Sequence, residues 1–235
     1  MWNGNVDKSR AILLAGFIAA LTGCDLTEPL PHAAQGASAP ASKAIQLRYQ
    51  VDPARNRVWS LTEQGVFLHE SAKLKKVELE LPAWQWAGAP YGCLPDLALG
   101  PRGEAVVTSD TLPSLWRVDP ESLAVSVHQP VLDANADKDV GFSALAYSAE
   151  HGAWFAVSLE GSLWRIDPLF RRAQKIGLAE ALPQACGLAA RSRSASLKPS
   201  RVRGLCLSTT QGNWVIDVAA DQRSAFARPA PCTAR

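Results

Sequence analysis

Ser114-Leu115-Trp116-Arg117-Val118-Asp119-Pro120 and Ser162-Leu163-Trp164-Arg165-Ile166-Asp167-Pro168 are one heptapeptide written twice, 48 residues apart, with a single Val-to-Ile change. Each is a short apolar run stopped by Asp-Pro. Pro fixes its own φ and Asp can accept nearby backbone N–H groups, so the pair reads as strand, then turn. Three further segments recur around them: Thr62-Glu63-Gln64-Gly65, Ser158-Leu159-Glu160-Gly161 and Thr209-Thr210-Gln211-Gly212. Each follows one apolar run and precedes another. Trp116, Trp164 and Trp214 recur at 48 and 50 residues, and Val66 stands 50 before Trp116. In the second copy Pro113-Ser114 replaces the Gly turn. A fixed period of this length over four copies marks a repeat architecture.

Strands fill each period. In the third copy they read FSALAYS, AWFAVSL, SLWRID and RAQKIGL, separated by AEHG, EG and the Asp167-Pro168 turn. Four antiparallel strands per repeat make a propeller blade. The copies run over about 45–81, 94–132, 141–179 and 186–228. The expected fold is therefore all-β, a small β-propeller of about four four-stranded blades, with a partly open propeller or a β-sandwich as alternatives. The chain resembles propeller repeats of the YVTN, quinoprotein-like and gluconolactonase groups, in which strand–Asp-Pro turns recur. That resemblance implies a fold and no chemistry. Trp59, Trp116, Trp154, Trp164 and Trp214 are assigned to packing between blades.

The chain has 235 residues, is 47% hydrophobic and carries a formal net charge of +2. This is enough to bury a core, and too little charge for a nucleic-acid binder. Lys8 and Arg10 precede an uninterrupted apolar run from Ala11 to Leu21. A short basic region followed by eleven apolar residues is laid out as a secretory signal, and it is too short to span a bilayer. The run ends in Leu21-Thr22-Gly23-Cys24, which closely resembles the lipobox of bacterial lipoproteins. The resemblance implies cleavage before Cys24 and acylation there, with two or three chains giving stable anchoring. Residues 1–23 are read as the signal peptide, 24–43 as the lipidated Cys and a Pro/Ala/Ser tether, and 44–235 as the propeller-like domain. Extended at about 3.1 Å per residue, the tether reaches roughly 60 Å. The expected address is the bacterial cell envelope, facing the periplasm. Asp25 resembles an inner-membrane retention signal without deciding between the two membranes.

Setting Cys24 aside leaves Cys93, Cys186, Cys206 and Cys232, an even number that suits disulfides in an exported protein. Pairing Arg191 near Val202 in a hairpin would bring Cys186 close to Cys206. Closure of a ring at its termini would bring Cys232 to Cys93. Asp133, Asn135, Asp137 and Asp139 alternate as oxygen ligands do at the start of an EF-hand-type loop. Lys138 stands in place of the turn Gly and Ala144 in place of the closing Glu, so the loop reads as solvated and acidic, with calcium as the alternative and no other cofactor expected. Arg191, Arg193, Lys198, Arg201 and Arg203 crowd a stretch without acids, expected to be a loop between the first two strands of the fourth copy. That stretch reads as solvated, with lipid headgroups or an acidic partner as the alternative. Trp84, Trp86 and Tyr91 in a Gly/Pro loop either cap the propeller or offer a stacking face to a partner. No nucleophile elbow, zinc-protease motif or phosphate loop occurs. The functional expectation is a membrane-tethered, non-catalytic scaffold that meets a protein partner in an envelope complex. The alternative is a small periplasmic enzyme or ligand-binding propeller, lactonase-like, that uses a central channel.

Overall fold

The computed structural model describes residues 46–70, 75–87, 93–133, 141–180, 182–183, 196–199, 204–209 and 211–232. All of these residues belong to one compact unit, 43–235. The first blade is β1 (Gln46–Asp52), β2 (Arg57–Thr62), β3 (Gly65–Glu70) and β4 (Lys75–Leu79); the second is β5 (Leu97–Leu99), β6 (Ala105–Val107), β7 (Leu115–Val118) and β8 (Val125–His128). After the short β9 (Val131–Leu132) comes the third, β10 (Phe142–Ser148), β11 (Ala153–Ser158), β12 (Leu163–Ile166) and β13 (Arg172–Leu178). The fourth is β14 (Ser196–Pro199), β15 (Leu205–Thr209), β16 (Gly212–Val218) and β17 (Ser224–Pro229). Each blade is an antiparallel meander in chain order, so the chain is a small β-propeller of four four-stranded blades. The outer strands β13 and β17 also pair in parallel, Gly177 opposite Ser224, which joins the last two blades into one sheet.

The repeated turn has a physical cause. Gly65, Gly161 and Gly212 all adopt positive φ, at 141°, 79° and 130°. The Thr62 and Thr209 hydroxyls each donate to the carbonyl of the following turn Gly and accept the N–H between them. Ser158 Oγ accepts the Ser162 N–H at 3.1 Å, clipping the third copy. The Asp-Pro turns behave as their sequence requires. Asp119 Oδ1 accepts from Glu121 N, Ser122 N and Ser122 Oγ, and Asp167 accepts from Leu169 N, Arg171 N and Arg172 N.

The core is three apolar layers between four blades. One layer joins Trp59, Leu61 and Leu68 of the first blade to Val107, Trp116 and Val118 of the second. Another joins Val106 and Leu115 to Trp154, Trp164 and Ile166. The last sets Phe155, Val157 and Leu163 against Leu197, Leu207 and Ile216. Trp154 and Phe155, adjacent on β11, therefore face different neighbours, the period-two alternation of a sheet buried on both faces. Trp59, Trp116, Trp154 and Trp164 are fully buried in these layers and Trp214 is half-buried.

The fourth blade departs from expectation in two ways. A strand, β14, occupies residues 196–199, inside the stretch expected to be a loop, and it pairs Lys198 with Cys206. The hairpin is thus tighter than an Arg191–Val202 pairing, and the residue opposite Cys206 is not Cys186. The disulfide is Cys206–Cys232, with Cα atoms 5.7 Å apart. Beyond β17 the Ala230 N–H bonds Asn213 O, and the tail crosses the start of β16 to reach β15. Cys232 is consumed within its own blade rather than clamping the ring near Cys93. Cys93 is buried and disulfide-bonded as well, and Cys186 lies outside the described residues.

One buried carboxylate ties three blades together. Asp96, immediately before β5, is 3% exposed. Its Oδ1 accepts Leu97 N at 2.9 Å and lies 3.3 Å from Arg48 Nε on β1, while its Oδ2 accepts Leu145 N on β10 at 2.8 Å. The Thr108 hydroxyl accepts the Asp96 N–H at 2.8 Å. Burial pushes the Asp96 carboxyl up to about 6, against the opposing pull of Arg48 and the two backbone donors.

The raised value sets a pH dependence. Below about pH 4 folded and unfolded chains both hold the Asp96 proton; from there to about pH 6 the unfolded chain releases it first. Stability contributed by this group is full at the acid end and lost as pH rises through 6, a change on the order of 2–3 kcal/mol. Chemical unfolding of the parent and Asp96→Asn between pH 4 and 7 should give a stability difference that shifts against the parent across this window; a flat difference would show that Asp96 titrates normally. A second test concerns the turns. An added Cβ at Gly152 (φ 56°) meets nothing within 4 Å, whereas at Gly161 (φ 79°) it meets the Leu182 carbonyl oxygen at a clashing distance. Gly152→Ala should cost about 1 kcal/mol and Gly161→Ala clearly more, read from denaturant midpoints. Equal losses would mean that the Leu182 backbone yields.

Candidate functional site

The inner strands of all four blades border a common cavity of about 770 Å³. Gln50 and Val51 of β1, Ala98 and Leu99 of β5, and Leu145, Ala146 and Tyr147 of β10 supply three walls. Leu197, Lys198 and Pro199 of β14 supply the fourth, with Ser208, Asn213 and the Cys206–Cys232 disulfide at its edge. Pro199 suits this place because an edge strand facing a channel can spare a backbone donor. An adjoining opening of about 470 Å³ lies between Leu47–Val51 of β1, Asp96 and Lys198, so the first and fourth blades face each other across it.

The chemistry of this channel is limited. Its lining divides between aliphatic side chains and polar groups, the latter being the Lys198 ammonium, the Gln50 and Asn213 amides and the Tyr147 and Ser208 hydroxyls. Gln50 Nε2 donates to Leu97 O at 3.0 Å, so one amide also braces β1 on β5. The Tyr147 ring is fixed edge-on against Trp154, with centroids 5.3 Å apart. Among the described residues no carboxylate lines the larger cavity, and Asp96, which lines the smaller opening, is already held by Arg48 and two N–H groups. Two serine–histidine contacts, Ser148–His151 at 2.9 Å and Ser126–His128 at 3.0 Å, are local to a turn and a strand. Ser148 Oγ also accepts the His151 backbone N–H, and among the described residues no carboxylate orients either imidazole, which a nucleophile–base pair would need. Among the described residues no three His, Cys, Asp or Glu side chains gather as a metal site would require.

The residues singled out in the sequence are scattered. Asp133 pairs with Arg172 at 2.7 Å; Asn135, Asp137 and Asp139 lie outside the described residues. Trp84 packs into the layer between the first two blades and donates from Nε1 to Thr108 O at 2.9 Å. Trp116 Nε1 donates to Pro82 O at 2.8 Å, Ser109 Oγ to Gln85 O at 2.5 Å and Ala87 N to Asp110 Oδ1 at 2.9 Å. The segment 81–87 is thus a cap stapled to the second blade. Desolvation raises the Asp110 carboxyl above its ordinary value. Trp86 stacks on Trp84 at 6.4 Å and is half-buried; Tyr91 lies outside the described residues. Of the five basic residues, Lys198 alone is described, exposed in the channel, and Arg191, Arg193, Arg201 and Arg203 lie outside. Cys24 also lies outside. The channel residues Gln50, Tyr147 and Asn213 carry no sequence signal, because only blade packing brings their strands together.

No protein-family model and no curated protein matches the chain. Among solved structures it is similar to virginiamycin B lyase from Staphylococcus aureus, at 14% identity and a TM-score of 0.55 over 83% of this chain and 59% of that one. A streptogramin B lyase matches at 13% identity and 0.55, over 83% and 58%. An auxiliary nutrient binding protein from Bacteroides thetaiotaomicron matches at 10% identity and 0.54, over 81% and 43%. The chain thus spans about three fifths of the length of the two lyases. At these identities the likeness is one of fold, and the fold it supports is the β-propeller.

Proposed function

We propose that the chain is a lipid-anchored protein of the bacterial envelope whose four blades form a non-catalytic binding scaffold, held to the membrane through Cys24 and meeting a protein partner at the channel. The observation that carries this reading is the channel lining: aliphatic walls and hydrogen-bonding amides around one exposed ammonium, with the nearest carboxylate spent on holding the blades. Such a surface can grip a segment with an apolar body and an acidic or amide-rich edge, and its described lining holds neither a carboxylate nor an imidazole. The lipobox at Leu21–Cys24 supports the anchor. A second reading, a pocket for a small ligand, is favoured by the size of the cavity; proteins of similar fold include an auxiliary nutrient binding protein and two lyases.

Two measurements test the proposal. Mass spectrometry of the mature N-terminus should find acylated Cys24, and Cys24→Ala should move the protein from the detergent-extracted membrane fraction to the soluble one; an unacylated chain starting elsewhere refutes the anchor. Cross-linking in whole envelopes should capture one stoichiometric protein partner, lost on Lys198→Glu without loss of folding. Unchanged capture would remove the channel from the interface, and saturable turnover or uptake of a small molecule would favour the second reading.

A further inference from the structure

Away from the channel, at the outer junction of the third and fourth blades, a cleft of about 480 Å³ gathers four arginines: Arg165 of β12, Arg171 from the turn after it, Arg172 of β13 and Arg223 beside β17. Two carboxylates share the lining, and both are occupied. Asp133 Oδ1 accepts Arg172 Nη2 at 2.7 Å and Nε at 3.2 Å. Asp167 accepts the backbone N–H groups of Leu169, Arg171 and Arg172, which close its turn. Arg165 is braced through Nε on the Gln222 side-chain oxygen. Among the described residues, no carboxylate pairs with the guanidinium of Arg171 or of Arg223. Among the described lining residues, four guanidiniums against two carboxylates leave an excess of two positive charges, with the Asp221 carboxylate nearby accepting the Arg223 backbone N–H at 3.0 Å.

Backbone pairing holds this cluster in place. Arg172 lies opposite Val131 in the β9–β13 bridge, and Asp133 N bonds Ala173 O at 2.9 Å. Arg223 O accepts Gly177 N at 2.9 Å where β13 meets β17. The repeat itself does not demand these charges. After the first heptapeptide, in the second repeat, Leu123 and Ala124 stand 48 residues before Arg171 and Arg172, in a turn closed by the same Asp N–H bond to the carbonyl five residues on. The turn forms without the arginine pair; Arg172 is used to hold Asp133 beside β13, whereas Arg171 is not needed to close the turn.

The geometry points to an oxyanion site in this cleft whose ligand is a phosphate dianion, either free phosphate or the phosphomonoester headgroup of a lipid, gripped by Arg171 and Arg223 over the braced pair Arg165 and Arg172. Guanidinium forks match phosphate oxygens in shape and charge, and an excess of two positive charges suits a dianion better than a single carboxylate. The inference is independent of the channel and of the lipid anchor.

Calorimetric titration of the full chain in zwitterionic detergent, at constant ionic strength, tests it with two probes, inorganic phosphate and monomeric dihexanoyl phosphatidic acid. Saturable binding of at least one is expected, and Arg171→Gln/Arg223→Gln should weaken it about tenfold or more. Both side chains are exposed and have no carboxylate partner among the described residues, so the variant should retain the parental melting temperature; Arg102→Gln, an exposed arginine of the second blade, should bind as the parent does. Equal affinity for the two probes assigns free phosphate, and tighter binding of the lipid assigns a headgroup. No saturation with either probe, or a double variant that binds like the parent, overturns the site.

Discussion

The arrangement of the first three blades depends on Asp96. Apolar layers hold the blades at the right separation, but they are non-directional and would tolerate sliding of one sheet over the next. A carboxylate that accepts from its own strand and from β10 while facing Arg48 on β1 permits one register only. The arrangement is not a large source of net stability, because removing a charge from water costs about what the partners return. Its contribution is to fix where β1, β5 and β10 stand, and these strands supply three of the channel's four walls.

The same economy governs the channel's chemistry. A buried acid near a cavity is the usual raw material for proton transfer, and Asp96 has the raised affinity for a proton that such a role uses. Here the affinity is a by-product of burial: both carboxylate oxygens are engaged and neither is free to meet a ligand. What faces the cavity among the described residues is aliphatic surface, amides, hydroxyls and the Lys198 ammonium.

Much of the fold was legible because the repeat writes its own grammar. The strands read in the third copy coincide with β10 to β13 within a residue or two, since β10 to β12 are apolar and buried on both faces and β13 follows the Asp-Pro turn with its apolar residues buried between exposed ones. The fourth copy was misread at its first strand for the opposite reasons. β14 is four residues with Lys198 and Pro199 exposed, and it lies in a basic stretch that looks like a loop. The disulfide followed that error, because Cys206 meets Cys232 only after the tail has crossed β16, a path that no spacing encodes. Asp96 lies in Cys93-Leu94-Pro95-Asp96, a segment with no motif, and its importance comes from two blades on either side. The arginine cleft joins residues from two repeats and was invisible for the same reason.

Every described blade takes its four strands from one continuous stretch of chain, and none combines strands from both ends. A ring sealed by a shared blade has a fixed number of parts, since removing one leaves the seal without a mate. An arc of sequential blades has no such constraint. It can be lengthened or shortened at either end by a duplication or deletion of one fifty-residue unit, and each change alters a single interface while the others stay as they were. The bore then widens or narrows with the number of units, so the size of what the channel admits can evolve by whole steps, independently of the side chains that line it.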